Sequence, residues 1–391
     1  MLSFIVVLAL LLAVLVVRRR ASAPRLHCGS AVARIVDAVP LLHARLPRPL
    51  LLSSSLAQLF VLAVQMELQE WFCAYEFDRE QLDVELDSEG ERRSPDSVTL
   101  AWLRRADEAS LARDAPIVLV LPGLCCHECN LPGTHLYRQL LQRPWRVSVF
   151  LKRGIAAPLR SPAVDIFGHP TDLEACVRHI SARHPNAPVH IVSYSSGNGL
   201  ACSFAALHDA SHPAVASYCL LCGGCDYRHI YPERPSWQTD ALFEKLLVPS
   251  VQTNLLAPSE ALLRWHDAAG YAKAMNAKHI QPLYDAIHAH FGGYATAAEA
   301  EAKTNGVVGG NARLCDTLRT PYLHVYCDDD PVAPGGPAPS WLPRFEQDGA
   351  TTCCALFPHG SHLACFDSLD VRVRWVDKLV VQWIDAVQRQ P

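Results

Sequence analysis

The chain lacks a surplus of positive charge: 35 Lys and Arg stand against 39 Asp and Glu, a formal net charge of -4 with His neutral. A protein that grips polyanions through a basic face needs the opposite balance, and no nucleic-acid-binding module takes its place, so no nucleic-acid partner is expected. The chain also lacks a repeat of fixed spacing and a dominant low-complexity tract, which sets solenoids and fibrous arrays aside. A phosphate-cradling glycine loop is missing too, because Gly197-Asn198-Gly199 follows a serine turn instead of opening a G-x-G-x-x-G segment. Charged residues make up only 19% of the chain while 50% is hydrophobic, with 8 Trp and 12 Phe, a composition that excludes a disordered chain or a coiled coil.

What is present suffices for a large core. At 391 residues, one long α/β domain is as natural as two ordinary ones. The 15 Cys are odd in number and spread without a small-domain framework, which favours a reducing compartment.

Residues 2–17 form a nearly unbroken apolar run followed by Arg18, Arg19 and Arg20. As a helix it spans about 24 Å, short for a hydrocarbon layer of about 30 Å but adequate if the arginines snorkel. A signal-anchor is expected over residues 1–20. Arginines after the span place the following domain in the cytosol, giving a single-pass protein of the endoplasmic reticulum membrane. Ala21-Ser22-Ala23 also has the form of a signal-cleavage site, and a buried N-terminal helix is a third reading. Residues 21–83 are expected as a membrane-proximal linker and helix, with 50–64 packed on the domain or lying at the bilayer surface.

From residue 84 to 391 the pattern becomes that of an α/β domain. Short apolar strands are expected at 98–102, 117–121, 147–151, 189–193, 215–221, 322–327 and 352–357. Helices are expected at 171–181, 197–207 and 373–387. A helical, turn-rich stretch over about 227–315 interrupts the rhythm and reads as a cap inserted over a mostly parallel sheet.

The sequence Val192-Ser193-Tyr194-Ser195-Ser196-Gly197 ends a strand in a tight turn and opens a helix. That context projects Ser195 as a nucleophile, with Gly197 letting the helix approach the strand. Ser193 stands where the Gly-x-Ser-x-Gly pattern has glycine. A serine attacks only when an imidazole takes its proton and a carboxylate orients that imidazole. Downstream, Asp328-Asp329-Asp330-Pro331 ends one strand, and His359-Gly360-Ser361-His362-Leu363 lies between the last strand and the last helix. Asp330 is the candidate acid, with Asp329 as the alternative, and His362 is the candidate base beside His359. Backbone N–H groups of Leu124, in Leu121-Pro122-Gly123-Leu124, and of Ser196 are the candidate oxyanion hole.

These segments resemble the alpha/beta-hydrolase-domain family of membrane-anchored lipid esterases and phospholipases. The resemblance runs from about residue 84 to the C-terminus. It also includes Lys152-Arg153-Gly154, His169-Pro170-Thr171-Asp172-Leu173, Asp285 and Gly293-Tyr294. It implies an alpha/beta-hydrolase fold with flanking helices and an inserted cap, and a triad of Ser195, Asp330 and His362. The chain departs from the family at Ser193, at Cys125-Cys126-His127-Glu128-Cys129 in the oxyanion loop, and in the Ala/Glu-rich sequence after Gly293-Tyr294.

Within this reading Arg153 either organises the site entrance or pairs with Asp172, and Asp285 is a candidate to hold the cap. Cys219, Cys222 and Cys225 have zinc-like spacing, but a core strand explains them as packing. Leu246, Leu247, Leu255, Leu256, Leu262 and Leu263 belong to the cap, either as its core or as a wall for acyl chains. The expected activity is cleavage of carboxylic esters in glycerolipids or phospholipids through an acyl-serine, without cofactor or metal. The expected partners are a membrane lipid or hydrophobic ester and the bilayer. The alternatives are acyl transfer to an alcohol or lysolipid, and a catalytically inactive, membrane-tethered lipid-binding protein.

Overall fold

The computed structural model describes residues 23–48, 52–87, 93–132, 134–209, 212–223, 243–292, 318–334, 336–337 and 339–390. Nine strands form one sheet in the order β1-β9-β8-β7-β6-β4-β5-β3-β2. They are β1 (Arg25–Cys28), β2 (Phe77–Asp87), β3 (Arg93–Leu103), β4 (Ile117–Leu121), β5 (Arg146–Leu151), β6 (Val189–Tyr194), β7 (Val215–Leu221), β8 (Tyr322–Cys327) and β9 (Thr352–Phe357). From β4 to β9 every pairing is parallel, while β3 on β5, β2 on β3 and β1 on β9 are antiparallel. This order and polarity make the alpha/beta-hydrolase fold, a mixed sheet with flanking helices.

The central strands are continuous apolar runs because both faces are covered, so no polar alternation is available to them. In β4 the period of two sorts the residues cleanly. Ile117, Leu119 and Leu121 pack toward helices α3 (Pro170–Arg183) and α4 (Gly197–His208). Val118 and Val120 pack toward α2 (Thr134–Leu140) and α7 (Trp375–Gln388), the latter contributing Val376, Leu379, Val380 and Trp383.

The segment expected as a linker enters the sheet at both ends, through β1 and β2. Between them, α1 (Ser55–Trp71) lies on the domain, with Leu62 buried in the core. Cys28 faces Cys353 across β1 and β9, and the two are joined as a disulfide. The described part of the cap, 243–292, includes α5 (Glu260–Asn276) and α6 (Ile280–Phe291), and its apolar residues share one buried cluster with Cys125, Leu159, Val164 and Ile166 of the domain beneath. Polar ties add to this seat: His288 bonds Asp165 at 2.7 Å, and the Val164 N–H donates to the Phe291 carbonyl at 2.6 Å.

The transmembrane expectation is corrected. Among the described residues no helix is long and apolar enough to cross a membrane. The long helices α1 and α5 have 17 residues each, about 26 Å, and α1 carries Gln58, Gln65, Glu67, Gln69 and Glu70. The signal-anchor placed over residues 2–17 lies outside the described residues. With this finding against it, the single-pass, endoplasmic reticulum localisation with a cytosol-facing domain is withdrawn.

Candidate active site

The switch in strand order falls beside β4, which has β5 on one side and β6 on the other. Open parallel sheets leave a crevice at such a point, at the carboxyl ends of the strands. Ser195 stands there, one residue past β6, with φ of +51°. The left-handed conformation costs a non-glycine residue about 1–2 kcal/mol, and neighbouring bonds hold it. The Ser195 N–H donates to the Leu221 carbonyl at 3.0 Å, and the Asn198 N–H returns to the Ser195 carbonyl at 3.0 Å as α4 begins.

Gly197 makes this turn sterically feasible. A Cβ there would lie 2.7 Å from the Leu121 carbonyl oxygen and 2.8 Å from that of Pro122. Both obstacles are backbone, so neither can swing aside. Gly197→Ala is therefore expected to cost about 1–3 kcal/mol of stability through overpacking, read as a lowered denaturant midpoint with unchanged slope. Ser193 is accommodated for a different reason. Its hydroxyl donates to Asn198 Oδ1 at 2.6 Å, and Asn198 Nδ2 donates to the carbonyls of Leu221 and Gly223, each at 3.1 Å.

The structure brings Ser195, His362 and Asp330 together from three loops at the same edge of the sheet. His362 Nε2 lies 2.8 Å from Ser195 Oγ, and His362 Nδ1 lies 2.8 Å from Asp330 Oδ2. With Asp330 ionised, Nδ1–H donates to the carboxylate and Nε2 accepts from the serine hydroxyl. Asp330 is 4% exposed and His362 8%, so water screens the pair little. Burial alone would lower the His362 pKa, but the Asp330 charge and hydrogen bond outweigh it and the net shift is upward.

The sign follows. As pH falls through the raised value the ring takes a proton and loses its capacity to accept from Ser195. The acid limb of kcat/KM for ester turnover is expected above the ordinary imidazole value of about 6.5. A midpoint at or below that value contradicts the assignment.

Asp329, the alternative acid, has other partners. Its Oδ1 accepts the N–H groups of Gly360 at 2.9 Å and Ser361 at 2.8 Å, tying down the loop that carries His362. His359 is turned away from Ser195, with Nε2 lying 3.4 Å from the Pro47 carbonyl. Sequence reasoning missed Arg374, wholly buried and paired with Asp377, whose Nη1 donates to the Leu363 carbonyl at 2.9 Å. It also missed the bond from Ser361 Oγ to the Ser55 carbonyl, 2.7 Å long, which links the base loop to the start of α1. Arg374 immediately precedes α7, and nothing in the local sequence marks a tie to a carbonyl eleven residues earlier.

Leu124 and Ser196 line the same cavity as Ser195. Among the described residues neither backbone N–H has an acceptor in the protein, as donors reserved for a developing oxyanion require. The cavity measures about 330 Å³. Leu59, Leu62, Ala63 and Met66 of α1 form one wall, and Leu246, Leu247, Ile280 and Tyr284 of the cap face the same space. The cap leucines thus divide: Leu246 and Leu247 line the cavity, whereas Leu255, Leu256 and Leu263 are buried in the cap core.

Arg153 pairs with Asp172 through two bonds, of 2.6 and 2.7 Å, with both side chains buried. Asp285 sits within its own helix, accepting from Gln281 at 2.9 Å in an exposed position, and Asp165 makes the tie to the cap instead. Burial pushes the Cys125 thiol up to about 11 and Cys126 up to about 12, so both stay protonated near neutrality. Cys219 is packed in the core and Cys225 lies outside the described residues.

No family model matches the chain. Among curated proteins it is similar to Protein ABHD15 of Homo sapiens, 25% identical over 228 residues, which are 57% of this chain and 45% of that protein. The chain thus matches less than half the length of that relative. It is also similar to Phospholipase ABHD3 of Mus musculus, 22% identical over 298 residues, covering 74% of this chain and 69% of that protein. Among solved structures, the carboxylesterase EstE1 cloned from a metagenomic library aligns with 86% of this chain and 98% of its own. The identity there is 14% and the TM-score 0.47.

Proposed function

We propose that this chain is a serine hydrolase of carboxylic esters, acting on lipids with long apolar chains of the glycerolipid or phospholipid class. The reading rests on one observation, the hydrogen-bonded line from Asp330 through His362 to Ser195 opening into an apolar cavity. A relative named as a phospholipase supports the same substrate class.

In the proposed reaction Ser195 Oγ attacks the ester carbonyl as His362 Nε2 takes its proton, and Asp330 stabilises the imidazolium that forms. The N–H groups of Leu124 and Ser196 hold the oxyanion. His362 then protonates the leaving alcohol. Water activated by the same ring releases the fatty acid from Ser195.

Helix α1 supports a lipid substrate through both its faces. Its inner residues line the cavity. Its outer face carries Phe60, Val64, Leu68 and Trp71, with Phe72 just past its end, exposed by 70%, 41%, 54%, 79% and 77%. The spacing is that of one helical stripe, unusual in facing water, and a bilayer surface is the partner that covers it.

The test is labelling of the purified chain with a hydrophobic fluorophosphonate, followed by product analysis on esters of graded acyl length in phosphatidylcholine vesicles. Ser195-dependent labelling and release of free fatty acid are expected. Labelling without release, with the acyl group passed to an added alcohol, would replace hydrolysis by acyl transfer. Correctly folded protein with neither property sinks the proposal. Acyl preference has its own check: Met66→Trp shortens the cavity and is expected to lower the ratio of long-chain to short-chain kcat/KM. Excluding two methylenes is worth about 1.6 kcal/mol, roughly tenfold or more.

A further inference from the structure

Three cysteines remote in sequence converge directly behind the triad. The sulfurs of Cys222, Cys327 and Cys365 all lie within 4.8 Å of one another. Cys222 follows β7, Cys327 ends β8 and Cys365 lies in the loop after β9, so three adjacent strands deliver them to one point. All are buried free thiols. Packing alone explains a buried cysteine, since the residue behaves as a small hydrophobe. It does not explain the convergence.

One edge of the cluster already has the length found in a coordination polyhedron, while all three sulfurs lie within 4.8 Å of one another. Cys222 Sγ and Cys327 Sγ are 3.8 Å apart. Thiolates bound tetrahedrally to zinc at about 2.3 Å stand about 3.8 Å from each other. Cys222 and Cys365 hold φ of +45° and +48°, so the backbone is strained at two of the three positions.

We propose that Cys222, Cys327 and Cys365 form a three-thiolate site for one thiophilic d10 cation of the zinc class, and that its occupancy slows the reaction at Ser195. Three S–H bonds break, their protons pass to solvent, and three sulfur–metal bonds form. No electron changes hands, and the fourth coordination position is left to water.

The coupling follows from chain connectivity and rests on the serine-hydrolase reading. Cys327 precedes Asp330 by three residues and Cys365 follows His362 by three. Two of the sulfurs also lie close against the loop of His362, in room that Gly360 leaves: a Cβ there would lie 2.5 Å from Cys327 Sγ and 3.2 Å from Cys365 Sγ. That loop is tied at Gly360, Ser361, Leu363 and Cys365 by Asp329, Arg374 and the Trp375 N–H. Drawing the sulfurs onto a common ion therefore moves backbone that carries His362. A displacement of about 1 Å in a reacting group lowers turnover by about 100-fold.

The experiment titrates the reduced, metal-free, full chain with Cd²⁺ alone, following the sulfur-to-cadmium charge-transfer absorption in the ultraviolet and ester turnover in parallel. Saturation at one equivalent is expected, with turnover falling about 100-fold and a chelator reversing both. Cys222→Ser, Cys327→Ser and Cys365→Ser are each expected to lose the tight equivalent and the cadmium sensitivity, each judged against its own metal-free rate. Cys73→Ser, whose sulfur is outside the cluster and outside the cavity wall, is expected to keep both. Absence of saturation at one equivalent, or its persistence in all three cluster variants, overturns the site. Saturation with unchanged turnover overturns the coupling. The absorption does not depend on catalysis, so an inert Ser195 is distinguishable from an absent metal site.

Discussion

Ser195→Ala is expected to lower ester turnover by about 10⁵- to 10⁶-fold and to abolish fluorophosphonate labelling. The size follows from what remains. His362 keeps Asp330, and the Leu124 and Ser196 donors keep their positions, so the cavity still binds ester and stabilises an oxyanion. What disappears is the oxygen bonded to His362 Nε2, the one that the proposed reaction uses to accept the acyl group. Cys126, in the same cavity, gives no substitute nucleophile, because burial holds its thiol near 12 and leaves almost no thiolate. The fold should be nearly unaffected, since alanine meets the same left-handed strain as serine at this turn. Thermal melts of the two proteins are therefore expected to agree closely. Retention of more than about 1% of turnover in the folded variant moves the nucleophile elsewhere.

The centre of this fold was legible because it obeys two strong local rules. Strands covered on both faces read as apolar runs, and β4 through β9 were placed within a residue or so of their observed positions. The turn at Ser195 announced itself through Gly197, where only the absence of a side chain allows the helix to start. The edges were hidden for the converse reason. The sequence of β2, Phe-Asp-Arg-Glu-Gln-Leu-Asp-Val-Glu-Leu-Asp, is heavily charged. Among the described residues it pairs with β3 alone and shows water much of its surface, so acidic residues protect the edge and erase the apolar signal. At four residues, β1 is too short to carry a periodicity and is held by its register with β9. Helix α1 was legible only in outline: the apolar stretch 50–64 suggested a helix packed on the domain or lying at a bilayer surface, while the wall that its inner face gives the cavity depends on residues remote in sequence, such as Leu124 and Tyr284. The Cys222, Cys327 and Cys365 cluster was beyond any spacing rule, since the chain separates its first two members by 105 residues.

Between neighbouring acids, the structure makes opposite predictions for the same chemical change. Asp330→Asn is expected to lower kcat/KM by about 10⁴-fold. Asp330 Oδ1 accepts the N–H groups of Val332 at 2.8 Å and Ala333 at 2.9 Å. Those two donors hold the amide oxygen of the variant and turn its NH₂ group toward His362 Nδ1. The imidazole must then accept at Nδ1 and carry its proton on Nε2, facing Ser195 with a hydrogen where a lone pair is required. Removal of the negative charge also withdraws what raises the His362 pKa, leaving burial to push it down. The residual activity is accordingly expected to have an acid limb at lower pH than the parent. Asp329→Asn keeps an oxygen for the Gly360 and Ser361 N–H groups and gives up chiefly its pairing with Arg48, 3.8 Å away and partly exposed. Its effect is expected to stay within about tenfold, because the base loop retains its ties to Arg374 and Ser55. Measured side by side at several pH values, the two amides separate a carboxylate that orients the base from one that anchors its loop. Equal losses, or the larger loss at Asp329, would transfer the acid role and leave the Asp330–His362 bond without a catalytic part.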